Sequence, residues 1–286
     1  MTRFAVDRSP HGLVVVTGPD ATSFLQSLVS QDLEPVADGD VVPTLLLTPQ
    51  GKLDVVLRAS RVGDAWWLDT DAAYGPRLAA TLTRFRIRVK VELDDRTATT
   101  GLVSLVGADI ETPAGVRVLP TRWGEVAGID LLGLQDAVSG ALAALPADVP
   151  RWTAARFEAF RIEAGVPRLG VDVDDATIPQ EAFLERDAVS FTKGCFLGQE
   201  LVCRIDTRGH VNRYLRRLEV SSGALPPAGA TVVVDGRERG VVTSAAADPD
   251  AHRVVALAMV RREVEPPVEA RLQWDGHDEP VEVQAL

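Results

Sequence analysis

The sequence predicts an α+β fold in which antiparallel strands dominate and a strand-rich segment closes the chain. Three observations carry this. Strand-length apolar runs in the first half alternate with helical patterns, and two of the runs are joined by a hairpin-length turn. A glycine-rich loop near residue 195 then runs straight into a helical pattern that Gly209 stops. Beyond it the texture changes to a succession of short strand-like runs separated by glycine, proline or acidic residues, the pattern of a small barrel or sandwich.

Leu13-Val-Val-Val-Thr17 is an unbroken apolar run and predicts a buried strand. Asp20 stands where an N-cap belongs, ahead of a helix with Phe24, Leu25, Leu28 and Val29 as its apolar stripe. Residues 41–47 predict a strand near a sheet edge, because Pro43 cannot donate to a ladder. Thr48-Pro-Gln-Gly-Lys52 is a turn, and residues 53–59 and 65–69 pair as a hairpin across Val62-Gly63-Asp64. Residues 71–84 suit a helix. Ile87, Val89, Val91 and Leu93 alternate with Arg88, Lys90, Glu92 and Asp94, the clearest half-buried strand pattern in the chain.

Residues 102–106 form a further strand, and 107–130 are strand-and-turn material. Residues 131–145 predict a helix ended by Pro146-Ala-Asp-Val-Pro150, and 152–164 a second one stopped at Gly165. Val171-Asp-Val-Asp-Asp175 lacks the spacing, glycine and terminal glutamate of an EF-hand and predicts a solvated acidic loop. The closing strands are expected at 213–220, 231–234, 238–244, 254–260, 268–274 and 279–283, with Asp235-Gly236 as a strong hairpin signal. The domain boundary falls near residue 210, giving 1–210 and 211–286.

At 286 residues the chain can bury a substantial core. Its net charge of −11 offers no global basic surface for phosphate, and the arginines of 204–217 read as a solvated, partly paired face rather than a nucleic-acid site. No apolar run approaches the roughly 20 residues of a membrane span, and the N-terminus lacks a secretory pattern. With only two cysteines the chain is expected in a reducing cytoplasm. The four histidines are scattered singly, which gives no zinc pattern, and neither a P-loop nor a dinucleotide fingerprint is present.

Ser190-Phe-Thr-Lys-Gly-Cys-Phe-Leu-Gly-Gln-Glu200 concentrates the chemistry. Gly194 and Gly198 permit a tight turn before the helix at 199–208. Within that helix Leu201, Val202 and Ile205 share a face, and Glu200, Arg204 and Arg208 step by four along another. Gly209 suits a left-handed C′ position. Lysine occurs at 52, 90 and 193 alone, so Lys193 beside Cys195 is not surface filler; its charge would favour thiolate. The residues alone leave two readings open, a reactive thiol or an inert cysteine in a glycine-rich loop. Glu163 is similarly ambiguous. It lies in the last turn of a helix, against the negative end of the macrodipole, either as a solvated glutamate or as a functional exception to a local rule.

Lys193-Gly-Cys-Phe-Leu-Gly-Gln-Glu200 resembles the signature Lys-Gly-Cys-Tyr-x-Gly-Gln-Glu of the YgfZ family, folate-binding relatives of the glycine-cleavage T-protein, with Phe196 in place of tyrosine. Gly18-Pro-Asp-Ala-Thr-Ser-Phe-Leu25, Thr48-Pro-Gln-Gly-Lys52, Arg161-Ile-Glu-Ala-Gly-Val-Pro167 and Ile178-Pro-Gln-Glu181 agree in family order, so the resemblance covers nearly the whole chain. It implies a T-protein-like folate-binding core of antiparallel sheets with helices, followed by a C-terminal β-barrel. The implied cofactor is tetrahydrofolate or a derivative. Glu163 would hold the pterin, whose ring N–H and exocyclic amine suit a bidentate carboxylate; Glu181 ranks second for the same work. Arg204 or Arg213 would meet the glutamyl tail, and Gly194, Gln199 and Glu200 belong to the binding loop. Cys195 would carry the special function, with Lys193 tuning it.

The resemblance implies an accessory protein that supports iron–sulfur cluster assembly or repair, and indirectly tRNA modification, with cluster-assembly proteins or client enzymes as partners. The alternative is a folate-dependent aminomethyltransferase or demethylase. In T-proteins a carboxylate near the 48–52 turn assists aminomethyl transfer. Here Asp54 falls a residue or two early and Val56 stands where an acid is wanted, and a one-residue shift turns a strand side chain to the other face. Asp54 is therefore expected to be an exposed strand aspartate. A third reading is an interaction module that has kept the fold and lost the ligand.

Overall fold

A computed structural model describes residues 2–108, 110–220, 223–249 and 253–286. Contacts divide the chain into two compact units that interleave along it. One comprises residues 1–122, 127–152 and 184–204, and the other 123–126, 153–183 and 205–286.

The first unit contains two sheets. Strands β1 (Phe4–Asp7), β2 (His11–Thr17), β3 (Val41–Leu47), β4 (Leu53–Val62), β5 (Ala65–Asp71), β6 (Glu92–Asp95), β7 (Thr100–Val106), β8 (Val116–Trp123) and β9 (Val126–Leu134) alternate with helices α1 (Ala21–Gln26), α2 (Gly75–Phe85) and α3 (Gln135–Ala144). The five-stranded sheet has the order β3-β4-β5-β2-β6 and the four-stranded sheet β1-β7-β9-β8. Pro43 sits on the edge strand β3, as expected.

The unbroken apolar run of β2 follows from burial on both faces. Val14 and Val16 pack with Phe24, Leu25, Leu78 and Leu82 under α1 and α2. Leu13 and Val15 face Leu102, Leu119 and Leu132 of the other sheet. On the far side of that sheet, Val103 and Leu131 bury Val138 and Ala141 of α3.

The second unit is organised around a closed barrel of β10 (Arg213–Val220), β11 (Thr231–Val234), β12 (Arg237–Asp248), β13 (Arg253–Arg261), β14 (Val268–Trp274) and β15 (His277–Gln284), in the order β10-β13-β12-β11-β14-β15. Asp235 and Gly236 both take positive φ at the β11–β12 turn, as a tight hairpin demands. Helix α4 (Ala154–Glu163) precedes the barrel in sequence, and Thr153 caps it by accepting from Arg156 N at 3.3 Å. Arg161 of α4 bonds Asp172 at 2.7 Å and Ser244 of β12 at 3.1 Å, which ties the helix to the barrel wall.

Several expectations need correction. The alternating run at 87–93 contributes only its end to β6. Ile87 is 71% exposed and Arg88 takes a φ of 58°, so the chain is still turning out of α2 there. Residues 131–134 complete β9 instead of starting a helix, pairing Leu131 with Val103 and Leu134 with Thr100. Helix α1 ends at Gln26, leaving Leu28 and Val29 buried beyond it, and the Asp20 side chain accepts from Lys90 N instead of capping α1. Asp172 is not solvated: it is buried and bonded to Arg161, Thr243 and Ser244. No helix among the described residues is long and apolar enough to cross a membrane.

Candidate functional site

The signature loop belongs to the first unit. It lies between α5 (Glu185–Ala188) and α6 (Gln199–Arg208), whose last four residues fall in the second unit. The loop is fastened to residues 26–31, the last residue of α1 and the segment that follows it. Ser190 N donates to Ser30 O at 3.0 Å and Leu197 N to Ser27 O at 3.2 Å. Ser30 Oγ donates to Ala188 O at 2.6 Å, and Gln31 Nε2 to Asp187 O at 2.8 Å.

Lys193 spends its ammonium on backbone. Nζ donates to Gln26 O, Val29 O and Gln31 O at 2.7, 2.8 and 2.9 Å, and lies 5.5 Å from the centre of the Phe196 ring. Burial pulls its pKa down to about 8 against the opposing pull of Asp32 and Glu34, so at pH 7 it remains a cation. With three N–H groups given to three carbonyls, the lysine is not hydrogen-bonded to the neighbouring thiol. Cys195 itself is exposed; Cys203, in α6, is half-buried.

The two loop glycines differ. Gly198 has a φ of 78°, and a Cβ there would lie 2.4 Å from Thr48 O. Gly51, across from it, has a φ of 75° and would meet Leu201 Cβ at 2.7 Å. The Thr48–Lys52 turn and the start of α6 therefore need glycine on both sides of their contact. Gly194 has open space around it and no positive φ. Gln199 Oε1 accepts from Phe196 N at 3.1 Å, closing the turn into the helix, while Glu200 and Arg204 are exposed. Val202 is the fully buried residue of the apolar face, Leu201 and Ile205 being half-buried, and Gly209 ends the helix without a positive φ.

The remaining predicted residues lie in the second unit. Glu163 is the final residue of α4, and its carboxylate pairs with Arg253 of β13. Arg217 NH1 caps the same position by donating to Glu163 O at 3.0 Å. These cations compensate the unfavourable dipole position, a compensation invisible in the sequence. Glu163 keeps 41% of its side chain exposed, so lone pairs remain available to a planar ring that presents two N–H groups side by side. Glu181 is spent otherwise. It is buried, accepts from Ile178 N at 3.1 Å, and takes Arg213 Nε at 3.0 Å and NH2 at 3.3 Å. The fold thus joins Glu181 and Arg213 to each other as an ion pair.

Asp54 is not exposed. It is buried in β4, where its carboxylate accepts from Arg77 Nε at 2.6 Å and Thr81 Oγ1 at 3.0 Å, both from α2. Sequence reasoning also missed a buried charged cluster between the two sheets of the first unit. Arg58 reaches Asp69 at 2.7 Å and Asp130 at 2.6 Å, and His11 Nε2 lies 2.9 Å from Asp69. Burial would raise the pKa of Asp69, but Arg58 and His11 hold it down to about 2. Among the described residues no group of three or more His, Cys, Asp or Glu side chains is placed to hold a metal ion.

The chain is 26% identical to the tRNA-modifying protein YgfZ of Escherichia coli O157:H7, with 93% of this chain and 87% of that one covered. The chain is similar to YgfZ over nearly its whole length. The YgfZ of Shigella sonnei is matched at the same identity over 94% of this chain and 90% of its own. The mitochondrial iron-sulfur cluster assembly factor IBA57 homologue of Mycosarcoma maydis is 28% identical over 79% of this chain, and the match spans 60% of that longer protein. No family model matches. Among solved structures, the glycine cleavage system aminomethyltransferase T of Bartonella henselae superposes with a TM-score of 0.86 at 21% identity, covering 99% of this chain and 85% of that one. The YgfZ-like chain therefore has the T-protein fold, including its closed C-terminal barrel.

Proposed function

We propose that this chain is a cytoplasmic, folate-binding, YgfZ-like protein that supports the assembly or repair of iron–sulfur clusters and, through cluster-dependent enzymes, tRNA modification. The observation that carries the reading is the exposed thiol of Cys195, displayed on a fastened loop whose sequence matches the YgfZ signature. The names of the relatives, a tRNA-modifying protein and a cluster assembly factor, point the same way.

Glu163 binds and orients the pterin. Its partly exposed carboxylate accepts the ring N–H and the exocyclic amine, and Arg253 holds it in place. Reduced folate, when bound, supplies a one-carbon carrier. Of the two arginines considered for the glutamyl tail, Arg204 is exposed and Arg213 is paired with Glu181. Cys195 makes transient contact with a cluster or with a cluster-carrying protein, since stable cluster ligation takes several thiolates. The partners are cluster-assembly proteins or client enzymes.

The aminomethyltransferase reading has the shared fold in its favour. Against it, Asp54 is consumed by Arg77 and Thr81. Two assays separate the readings. Cells lacking the protein should lose activity of a cluster-dependent enzyme and regain it with the wild-type chain. Purified protein given tetrahydrofolate and an aminomethyl donor should form no methylene-tetrahydrofolate; its formation would decide for the transferase.

A further inference from the structure

We infer that Lys193 is a positioning residue, a cationic clasp that fastens the signature loop to the carbonyl-lined segment after α1 and thereby presents Cys195 in one orientation. That the displayed thiol serves cluster maintenance rests on the function proposed above; the clasp itself rests on geometry alone.

Three backbone carbonyls form the seat of the ammonium. Gln26 is the last residue of α1, and a helix end leaves carbonyls without intrahelical partners. Val29 O and Gln31 O come from the turns that follow. All three converge on a single nitrogen at 2.7–2.9 Å. An ammonium presents three donors from one atom and matches such a cup, whereas a guanidinium presents its donors in a flat fork and does not. Lys193 is one of three lysines among 30 basic residues, so the type of cation at this position is informative.

The consequence falls on Cys195 because of where the other fasteners are. Ser190 N to Ser30 O lies on one side of the clasp and Leu197 N to Ser27 O on the other. Cys195 stands between Lys193 and Leu197, with the buried Phe196 ring beneath the ammonium. Gly194 has nothing within 4 Å of its would-be Cβ, so the backbone at that residue, next to Cys195, is not held by packing around a side chain. Removing the ammonium leaves three part-buried acceptors without this donor and takes from the loop tip the clasp that stands between the Ser190 and Leu197 backbone hydrogen bonds.

The test uses the full chain. In Lys193→Met and Lys193→Ala, amide hydrogen exchange at Ser190 and Leu197 should quicken about tenfold to a hundredfold, as expected when charge-assisted hydrogen bonds are lost from a local opening equilibrium. In Lys193→Ala, n-propylammonium should slow that exchange again, while tetramethylammonium, which has no N–H, should not. A nitroxide attached to Cys195 in a Cys203→Ser background should change from a restricted to a mobile spectrum on Lys193→Met. Should neither variant fold, Lys193→Arg carries the test with an intermediate exchange rate. Wild-type exchange in these variants, or an equally restricted label, would overturn the clasp. If Cys195→Ala supports cluster enzymes fully while the exchange results hold, the functional reading fails and the clasp stands.

Discussion

Arg253, the first residue of a barrel strand, pairs with Glu163, the last residue of the helix that precedes the barrel in sequence, across 90 positions of chain. The pair settles a carboxylate at a helix end that would otherwise repel it. Burial would lower the pKa of Arg253, but Glu163 and Glu219 raise it, so the cation persists at any working pH. Both side chains stay partly in solvent, at 32% and 41% exposure, which makes the pair a weak stabiliser. Glu163→Gln should therefore change stability by less than about 1 kcal/mol, yet weaken tetrahydrofolate binding by about tenfold to a hundredfold through loss of a charge-assisted acceptor. Calorimetric titration measures the affinity and a denaturant melt the stability; unchanged affinity would remove Glu163 from the folate site.

Asp54 is the reverse case, a residue that holds structure. Asp54→Ala deprives the buried Thr81 hydroxyl of its acceptor and releases Arg77, whose side chain is 41% exposed and rehydrates. A loss of about 2 kcal/mol in urea unfolding is expected, with the surviving folded protein still able to restore cluster-enzyme activity in deletion cells. Loss of function without loss of stability would return Asp54 to catalysis.

Asp69 makes stability depend on acid. Its folded pKa of about 2 lies below the ordinary 3.8, so the unfolded chain binds the proton more readily. The contribution is fully present above pH 3.8 and disappears as pH falls through about 2. Its size is roughly 2 kcal/mol, from the gap between the two pKa values. Asp69→Asn should flatten the stability curve in that window, as followed by denaturant titrations at stepped pH. An unchanged slope would mean that Arg58 and His11 do not hold the carboxylate in solution.

The two glycines of the signature loop should respond differently to alanine. Gly198→Ala places a Cβ against Thr48 O in a left-handed conformation and should cost about 2 kcal/mol or more. Gly194→Ala meets nothing within 4 Å and should stay within about 0.5 kcal/mol of wild type. Thermal melts of the two variants decide it, and equal shifts would contradict the described packing of the 48–52 turn on α6.

These contrasts mark what was legible in the sequence. The barrel strands were readable because short runs with turn residues between them carry a local signal, down to Asp235-Gly236 at the β11–β12 hairpin. Lys193 and Cys195 stood out because lysine and cysteine are scarce and adjacent there. The alternation at 87–93 misled, because the chain leaves α2 through a left-handed Arg88 before β6 begins, a requirement that hydropathy does not encode. The partners of Glu163, Asp54 and Lys193 were illegible for a different reason. Arg253 and Arg77 are distant or unremarkable in sequence, and the acceptors of Lys193 are backbone carbonyls, which every residue possesses.

The central claim is that Cys195 does its work in iron–sulfur maintenance. The direct measurement is the activity of a cluster-dependent enzyme in cells lacking this protein, complemented at equal expression with wild type, Cys195→Ala or Cys203→Ser. The account predicts restoration by wild type and Cys203→Ser and none by Cys195→Ala. Full restoration by Cys195→Ala would contradict it.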